Sequence, residues 1–174
     1  MSILILDGID KTGKSTIAKK ISDLTRIKLF HSTKPWKPYE EFMHAINGEY
    51  AVMTRLFEEK IITELIIDRF IASEFAYLEE SDPEKNFNYL FLLDKRLAKV
   101  GVKIITFIVD HNVLLQRLLR DGEDKQYNEH ELLTFQQRFI DFHKRSKCDK
   151  ILVDTTLKSV ETCFVEVMRF IGKM

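Results

Sequence analysis

The sequence predicts an α/β fold, a mostly parallel sheet with helices on both faces. Three observations predict it. Short apolar runs rich in Ile, Leu and Val recur along the chain. Between them lie longer segments with apolar residues at helical spacing. Breakers are scarce, with 6 Gly and 3 Pro in 174 residues, which favours helix over irregular structure. Strands alternating with helices imply βαβ units, and right-handed crossovers limit how these connect.

Residues Ser2–Asp7 form the first strand and run into a glycine loop. Ser15–Arg26 follows as a helix, with Ile17, Ile21 and Leu24 on one face. Ile27–His31 is a short second strand, and Ser32–Tyr39 is a loop holding two of the prolines. Glu40–Ile46 and Tyr50–Ile61 read as two helices broken near Asn47-Gly48, because glycine is a poor helix former. Leu65–Asp68 is a third strand and Phe70–Glu80 a helix. Asp82-Pro83 starts another helix, running to about Val100, whose apolar stripe is Phe87, Leu90, Phe91, Leu93 and Leu97, with Gly101 as its stop. Val102–Asp110 is a strand, Val113–Arg120 a helix and Asp121–Asn128 a polar loop. Glu129–Lys147 is helical, Ile151–Asp154 is the fifth strand, and Ser159–Ile171 closes the chain. In such sheets ligands bind beyond the carboxyl ends of the strands. Asp7, His31, Asp68, Asp110 and Asp154 all fall there; some mark a site and the others cap the helices that follow.

Length and charge exclude several classes. The chain is one domain's worth, and Lys+Arg and Asp+Glu are both 27, which argues against a generic duplex-DNA binder. No run reaches the ~20 apolar residues of a membrane span, and no basic stretch precedes the apolar N-terminus as a signal peptide requires. Two cysteines, Cys148 and Cys163, make no disulfide framework. A cytoplasmic protein with reduced thiols is expected. The five histidines lack metal-ligand spacing.

Gly8-Ile9-Asp10-Lys11-Thr12-Gly13-Lys14-Ser15 fits G-x-x-x-x-G-K-[ST], the P-loop, between a strand and an amphipathic helix as that motif demands. Its glycines let successive backbone N–H groups turn inward onto phosphate oxygens, and the following helix aims its positive end at the same place. Lys14 reaches the β/γ-phosphates and Ser15 places a hydroxyl on Mg²⁺. Residues 8–16, closing with Thr16, are therefore the expected ATP·Mg²⁺ site. No asparagine begins an N-K-x-D motif, so a GTPase is not indicated. A small phosphotransferase suits the length.

The second constellation is Asp68-Arg69-Phe70-Ile71-Ala72-Ser73-Glu74-Phe75-Ala76-Tyr77. Asp68 at a strand end can enter the Mg²⁺ shell or orient an acceptor. Arg69 offers a planar fork that matches phosphate. A strand-end ion pair is the alternative.

Together the two stretches resemble the thymidylate kinase family, whose motifs run G-[VL]-D-[RG]-x-G-K-[ST] and D-R-Y-x-x-S-x-x-A-Y. The resemblance implies one P-loop NTPase-type three-layer α/β/α domain over residues 1–174. Its sheet would have five parallel strands in the order 2-3-1-4-5, with a lid over about 117–130. It implies ATP:dNMP phosphoryl transfer with Mg²⁺, often in a homodimer. Asp10 would hold the acceptor sugar's 3′-hydroxyl and Lys11 would face the transferred phosphoryl group. Arg69 would bind the acceptor phosphate, joined by Lys37 from Pro35-x-Lys37. Arg55 matches an arginine near the base, and Tyr77 one that packs on the deoxyribose. Phe70, Ser73 and Glu74 fall along the same acceptor stretch. Arg120, then Arg117, would reach ATP, a solvated basic face being the alternative.

The departures bear on the acceptor. Asp7 replaces a glutamate, Phe70 a tyrosine, and Gln126-Tyr127-Asn128 a charged R-Y-E. Glu74 stands where members carry Asn, Ser or Gly; a carboxylate there only accepts hydrogen bonds. The expected reaction is transfer to a deoxynucleoside monophosphate, a pyrimidine such as dTMP. The alternatives are a kinase for a deoxynucleoside or a modified base, possibly within DNA, and a non-catalytic nucleotide-binding protein.

Overall fold

The computed structural model describes residues 2–31, 39–77, 83–120 and 128–173, with side chains described for these except 39–47 and 83–87. In chain order the elements are β1 (Ser2–Gly8), α1 (Lys14–Thr25), β2 (Leu29–His31), α2 (Tyr39–Glu58), β3 (Glu64–Asp68) and α3 (Ile71–Tyr77). They continue with α4 (Pro83–Lys99), β4 (Lys103–Ile108), α5 (His111–Arg120), α6 (Glu129–Arg145), β5 (Asp149–Asp154) and α7 (Val160–Ile171). The five strands form one sheet in the order β2-β3-β1-β4-β5, and every pairing is parallel. This is the three-layer P-loop NTPase-type architecture.

Side-chain alternation along the strands builds the layers. On β1, Ile3 and Ile5 face one side and pack with Phe57, Leu93, Phe139 and Phe142 from α2, α4 and α6. Leu4 and Leu6 face the other and pack with Ile17, Ile21, Val167 and Met168 from α1 and α7. The same division recurs on β4, with Ile104 on the first face and Ile105 and Phe107 on the second. Fully burying side chains of this kind contributes roughly 1.5–3 kcal/mol each. Away from the strands' carboxyl ends, Asp94 on α4 is fully buried. It accepts hydrogen bonds from Ser146 Oγ and Lys147 N, joining α4 to the segment that leads into β5.

The helix α2 corrects one expectation. It runs unbroken through Asn47-Gly48. Glycine there costs about 1 kcal/mol relative to alanine, but Tyr50, Thr54 and Phe57 bury one face of the helix, and that packing outweighs the local preference. Among the described residues no helix is long and apolar enough to cross a membrane.

Candidate functional site

The loop between β1 and α1 is held in one shape by its own residues. Gly8 has φ 144°, and a Cβ there would lie 2.4 Å from the carbonyl oxygen of Phe107 on the neighbouring strand. Gly13, with φ 84°, is the N-cap of α1. Thr12 is buried, and its hydroxyl donates to Ile9 O at 2.8 Å. Lys11 is left-handed at φ 62°, which costs about 1 kcal/mol or more in a non-glycine residue and persists only where the surroundings enforce it.

A cavity of about 570 Å³ opens over this loop, lined by residues 10–16 with Arg117 and Arg120. That is within the usual range for ligand pockets. Among the described residues its charged lining is Lys11, Lys14, Arg117 and Arg120 against Asp10, an excess suited to a polyanion. A second cavity of about 290 Å³ adjoins it and extends past Thr155, Lys158, Val160 and Cys163. The backbone cradle, the lysine and the cationic wall fit a nucleoside triphosphate. Ser15 is exposed in the first turn of α1, where a hydroxyl can ligate Mg²⁺ beside the phosphates. Asp68 has other partners, described next. Among the described residues no group of three His, Cys, Asp or Glu side chains could hold a metal on its own.

The strand ends divide into two sets. Asp110 accepts from Asn112 N at 2.9 Å and Val113 N at 3.3 Å and so caps α5. Asp154 accepts from Thr156 N at 2.9 Å and holds a turn. Asp7, His31 and Asp68 instead belong to the site. Asp68 is 1% exposed. Lys14 Nζ lies 3.2 Å from its Oδ1, an ion pair without hydrogen-bond alignment. The His31 ring places Nδ1 3.0 Å from its Oδ2. His31 and Asp68 are register partners on β2 and β3. Sequence reading gave His31 no role beyond a strand end; its partner across the sheet could not be read from the chain.

Asp7 lies beneath this group, fully buried. Its Oδ1 accepts from Phe70 N and Ser73 Oγ, and its Oδ2 has no hydrogen-bond partner. Burial raises its pKa above the ordinary carboxylate value, against the lowering pull of Ser73, Phe70 N, Lys14 and Arg69. The fold therefore favours the neutral acid, and ionisation costs stability as pH rises from the unfolded carboxylate range towards the raised folded value. Asp7→Asn is expected to melt a few degrees higher than the parent at pH 7, with the gain vanishing near pH 4. Thermal unfolding at the two pH values measures it, and a variant that melts lower at pH 7 would show that Asp7 is needed as a charge.

Beside the loop, Arg69 turns at φ 75°, and its guanidinium forms an ion pair with Asp10. The guanidinium carbon also lies 5.7 Å from the ring centroid of Tyr77. Tyr77 packs edge-on against Phe135 and Phe139 of α6, at 4.9 and 5.6 Å. The structure thus joins Asp10, Arg69 and Tyr77, and Glu74 is half-buried on the same short helix.

Arg69, Glu74, Tyr77 and Asp68 do not line the cavity itself, and Phe70, Ser73 and Arg55 have their side chains committed elsewhere. Phe70 is 1% exposed and its ring packs on Tyr50. Ser73 commits its hydroxyl to Asp7. Arg55 is exposed in the last turn of α2 and pairs with Glu59 at 2.7 Å. That turn leads into the amino end of β3, so Arg55 stands at the opposite end of the sheet from the loop. Lys37 and residues 121–127 lie outside the described residues. Asn128, where the resembling motif carries a charge, is the N-cap of α6 and forms a reciprocal capping box with Glu131.

Arg117 points into the loop. Its guanidinium donates to Lys11 O at 3.0 Å, Thr155 Oγ1 at 3.1 Å and Thr155 O at 2.8 Å. Arg120 is exposed on the cavity wall.

No protein-family model matches the chain, and no curated protein matches it. Solved structures do. The YorR protein from Bacillus subtilis, in complex with phosphorylated GDP, is 17% identical with a TM-score of 0.76, over 98% of this chain and 96% of that one. Deoxyadenosine kinase from M. mycoides with bound dCTP is 18% identical with a TM-score of 0.66, over 99% and 100%. Thymidylate kinase from Candida albicans is 16% identical with a TM-score of 0.53, over 98% and 91%. The likeness is therefore not to thymidylate kinases in particular, and it supports the expectation from the motifs in its coarser form. At these identities it establishes the fold, the P-loop α/β/α architecture that kinases of differing acceptors share.

Proposed function

We infer that the protein transfers the γ-phosphoryl group of ATP, with Mg²⁺, to a small deoxynucleotide acceptor. The single observation that carries this is the pairing of Arg69 with Asp10 beside the cationic loop cavity. It supports the reading because a guanidinium fork there could take an acceptor phosphate next to a donor on the loop. ATP would place its phosphates on the loop and its base towards the adjoining cavity. An acceptor phosphate would compete with Asp10 for Arg69 and free that carboxylate for the acceptor's sugar hydroxyl. An acceptor phosphate oxygen then attacks the γ-phosphorus in line, the bond to the β–γ bridging oxygen breaks, and ADP leaves. The chain's work is positioning and charge stabilisation. Lys14 and Lys11 stand where charge develops on the transferred group. Ser15 would hold Mg²⁺, which neutralises charge on the phosphates, and Asp68 would keep Lys14 aligned. Within this reading the favoured acceptor is a pyrimidine deoxynucleoside monophosphate such as dTMP, with Glu74 and Tyr77 beside it.

Arg69→Ala is expected to raise the acceptor KM by on the order of 10²-fold while ATP affinity changes less than about threefold, since a charged hydrogen bond to phosphate is lost. Steady-state kinetics with each substrate varied in turn measures this. A second reading, a deoxynucleoside as acceptor, is raised by the deoxyadenosine kinase that shares the fold over its whole length. A nucleoside brings no phosphate for Arg69, so the same variant would then leave the acceptor KM within a fewfold. Equal loss of donor and acceptor binding would contradict the role given to Arg69.

A further inference from the structure

The Arg117 side chain joins two loops that belong to different parts of the chain. One is the phosphate loop, through the carbonyl of left-handed Lys11; the other is the segment after β5, through both oxygens of Thr155. Thr155 is itself 4% exposed and anchored to the end of β4, its N–H and its hydroxyl both donating to Ile108 O at 2.9 and 3.1 Å. The base of α5 is fixed too. Asp110 N donates to Thr156 Oγ1 at 2.8 Å, and the His111 ring meets Glu129 at 2.6 Å. Arg117 lies six residues further along, roughly 9 Å from that base. Three of its contacts are to backbone or hydroxyl oxygens, and they use both terminal nitrogens of the guanidinium.

We propose that Arg117 is a positioning residue for the donor site rather than a ligand of its phosphates. Its fork ties the Lys11 carbonyl to Thr155, so that the phosphate loop and the wall of the adjoining cavity keep one spacing. Arg120, exposed on the same helix, also lines the cavity and serves as the comparison for a residue that would meet the phosphates directly. The proposal rests on the reading of the cavity as an ATP site.

The two roles respond differently to a lysine. A phosphate ligand needs charge, which lysine keeps. A tie between separate carbonyls needs the planar fork, which lysine lacks. The test compares Arg117→Lys, Arg117→Met and Arg120→Met in the full chain, titrating ATP and ADP by calorimetry at fixed Mg²⁺. Arg117→Lys and Arg117→Met should weaken ATP and ADP by the same factor, on the order of tenfold. The donor KM should rise while the acceptor KM holds. Arg120→Met should lose more for ATP than for ADP. Thr155→Val, which keeps the arginine, should give a smaller and equally uniform loss of about threefold; this variant carries the test if the Arg117 variants do not fold. Near-parental affinity in Arg117→Lys, a loss that grows from ADP to ATP, or no loss in Thr155→Val would overturn the proposal. A parent protein that binds neither nucleotide would overturn the ATP reading itself. A parent that binds both, with Arg117→Met unchanged, would remove this proposal alone.

Discussion

Lys14→Ala is expected to lower kcat by about 10²–10³-fold, the scale set by removing one preorganised charge-stabilising donor. Lys14 is 4% exposed and begins α1, with its ammonium beside the buried carboxylate of Asp68. This pair holds the lysine ammonium at the carboxyl end of β3, where phosphate oxygens on the loop would take over its charge. The same burial carries a stability consequence. Without Lys14 the Asp68 carboxylate keeps, among the described residues, the His31 ring, and an uncompensated buried charge costs roughly 3–5 kcal/mol. The two effects separate in Lys14→Ala/Asp68→Asn, which should recover most of the lost melting temperature and none of the lost turnover. Turnover and thermal unfolding on the same preparations measure both. Near-parental turnover in a folded Lys14→Ala chain would contradict the assignment of the loop.

Gly8→Ala should be the most destabilising small substitution in the loop. The residue sits at φ 144°, and the added methyl would meet the Phe107 carbonyl oxygen at 2.4 Å. Neither backbone can yield easily, because Gly8 and Phe107 are paired across β1 and β4 at the centre of the sheet. A loss of at least ~3 kcal/mol is expected, or roughly 6–12 °C in melting temperature for a chain of this size. Gly48→Ala is the contrast. It lies inside α2 with nothing within 4 Å of the added carbon, and should be neutral or stabilising by up to about 1 kcal/mol. Thermal unfolding of the two variants side by side tests the argument, and equal melting temperatures would contradict it.

What could be read from the chain alone was local or periodic. The glycine spacing and the Lys-Ser pair of the loop specify a backbone cradle whatever surrounds it. The apolar run of Ser2–Asp7 marked a buried strand and helical spacing on Ile17 and Ile21 marked a packed helix face, but which strand residues meet which helices came only with the fold, because all of Ile3–Leu6 are apolar. Strand ends were legible as a class, but not by role. Asp110 and Asp154 complete their own turns, while His31 and Asp68 meet only through strand pairing. Arg55 misled because a resemblance in order along the chain carries no statement about which end of a 20-residue helix reaches the site. Phe70 and Ser73 belong to a motif, yet their side chains serve the core and Asp7. Arg117 was legible as a cation near the donor; that its fork would be taken up by Lys11 and Thr155 depended on two distant loops converging.

The most direct test of the account is acceptor-dependent ADP release. The purified protein, with ATP and Mg²⁺, would be given each dNMP, each NMP, each deoxynucleoside and single-stranded DNA in separate reactions, with products identified. The account predicts ADP release stimulated by a deoxynucleoside monophosphate and appearance of its diphosphate, both lowered about 10²–10³-fold in Lys14→Ala. Release stimulated only by a nucleoside or by DNA, or by no acceptor at all, would contradict it.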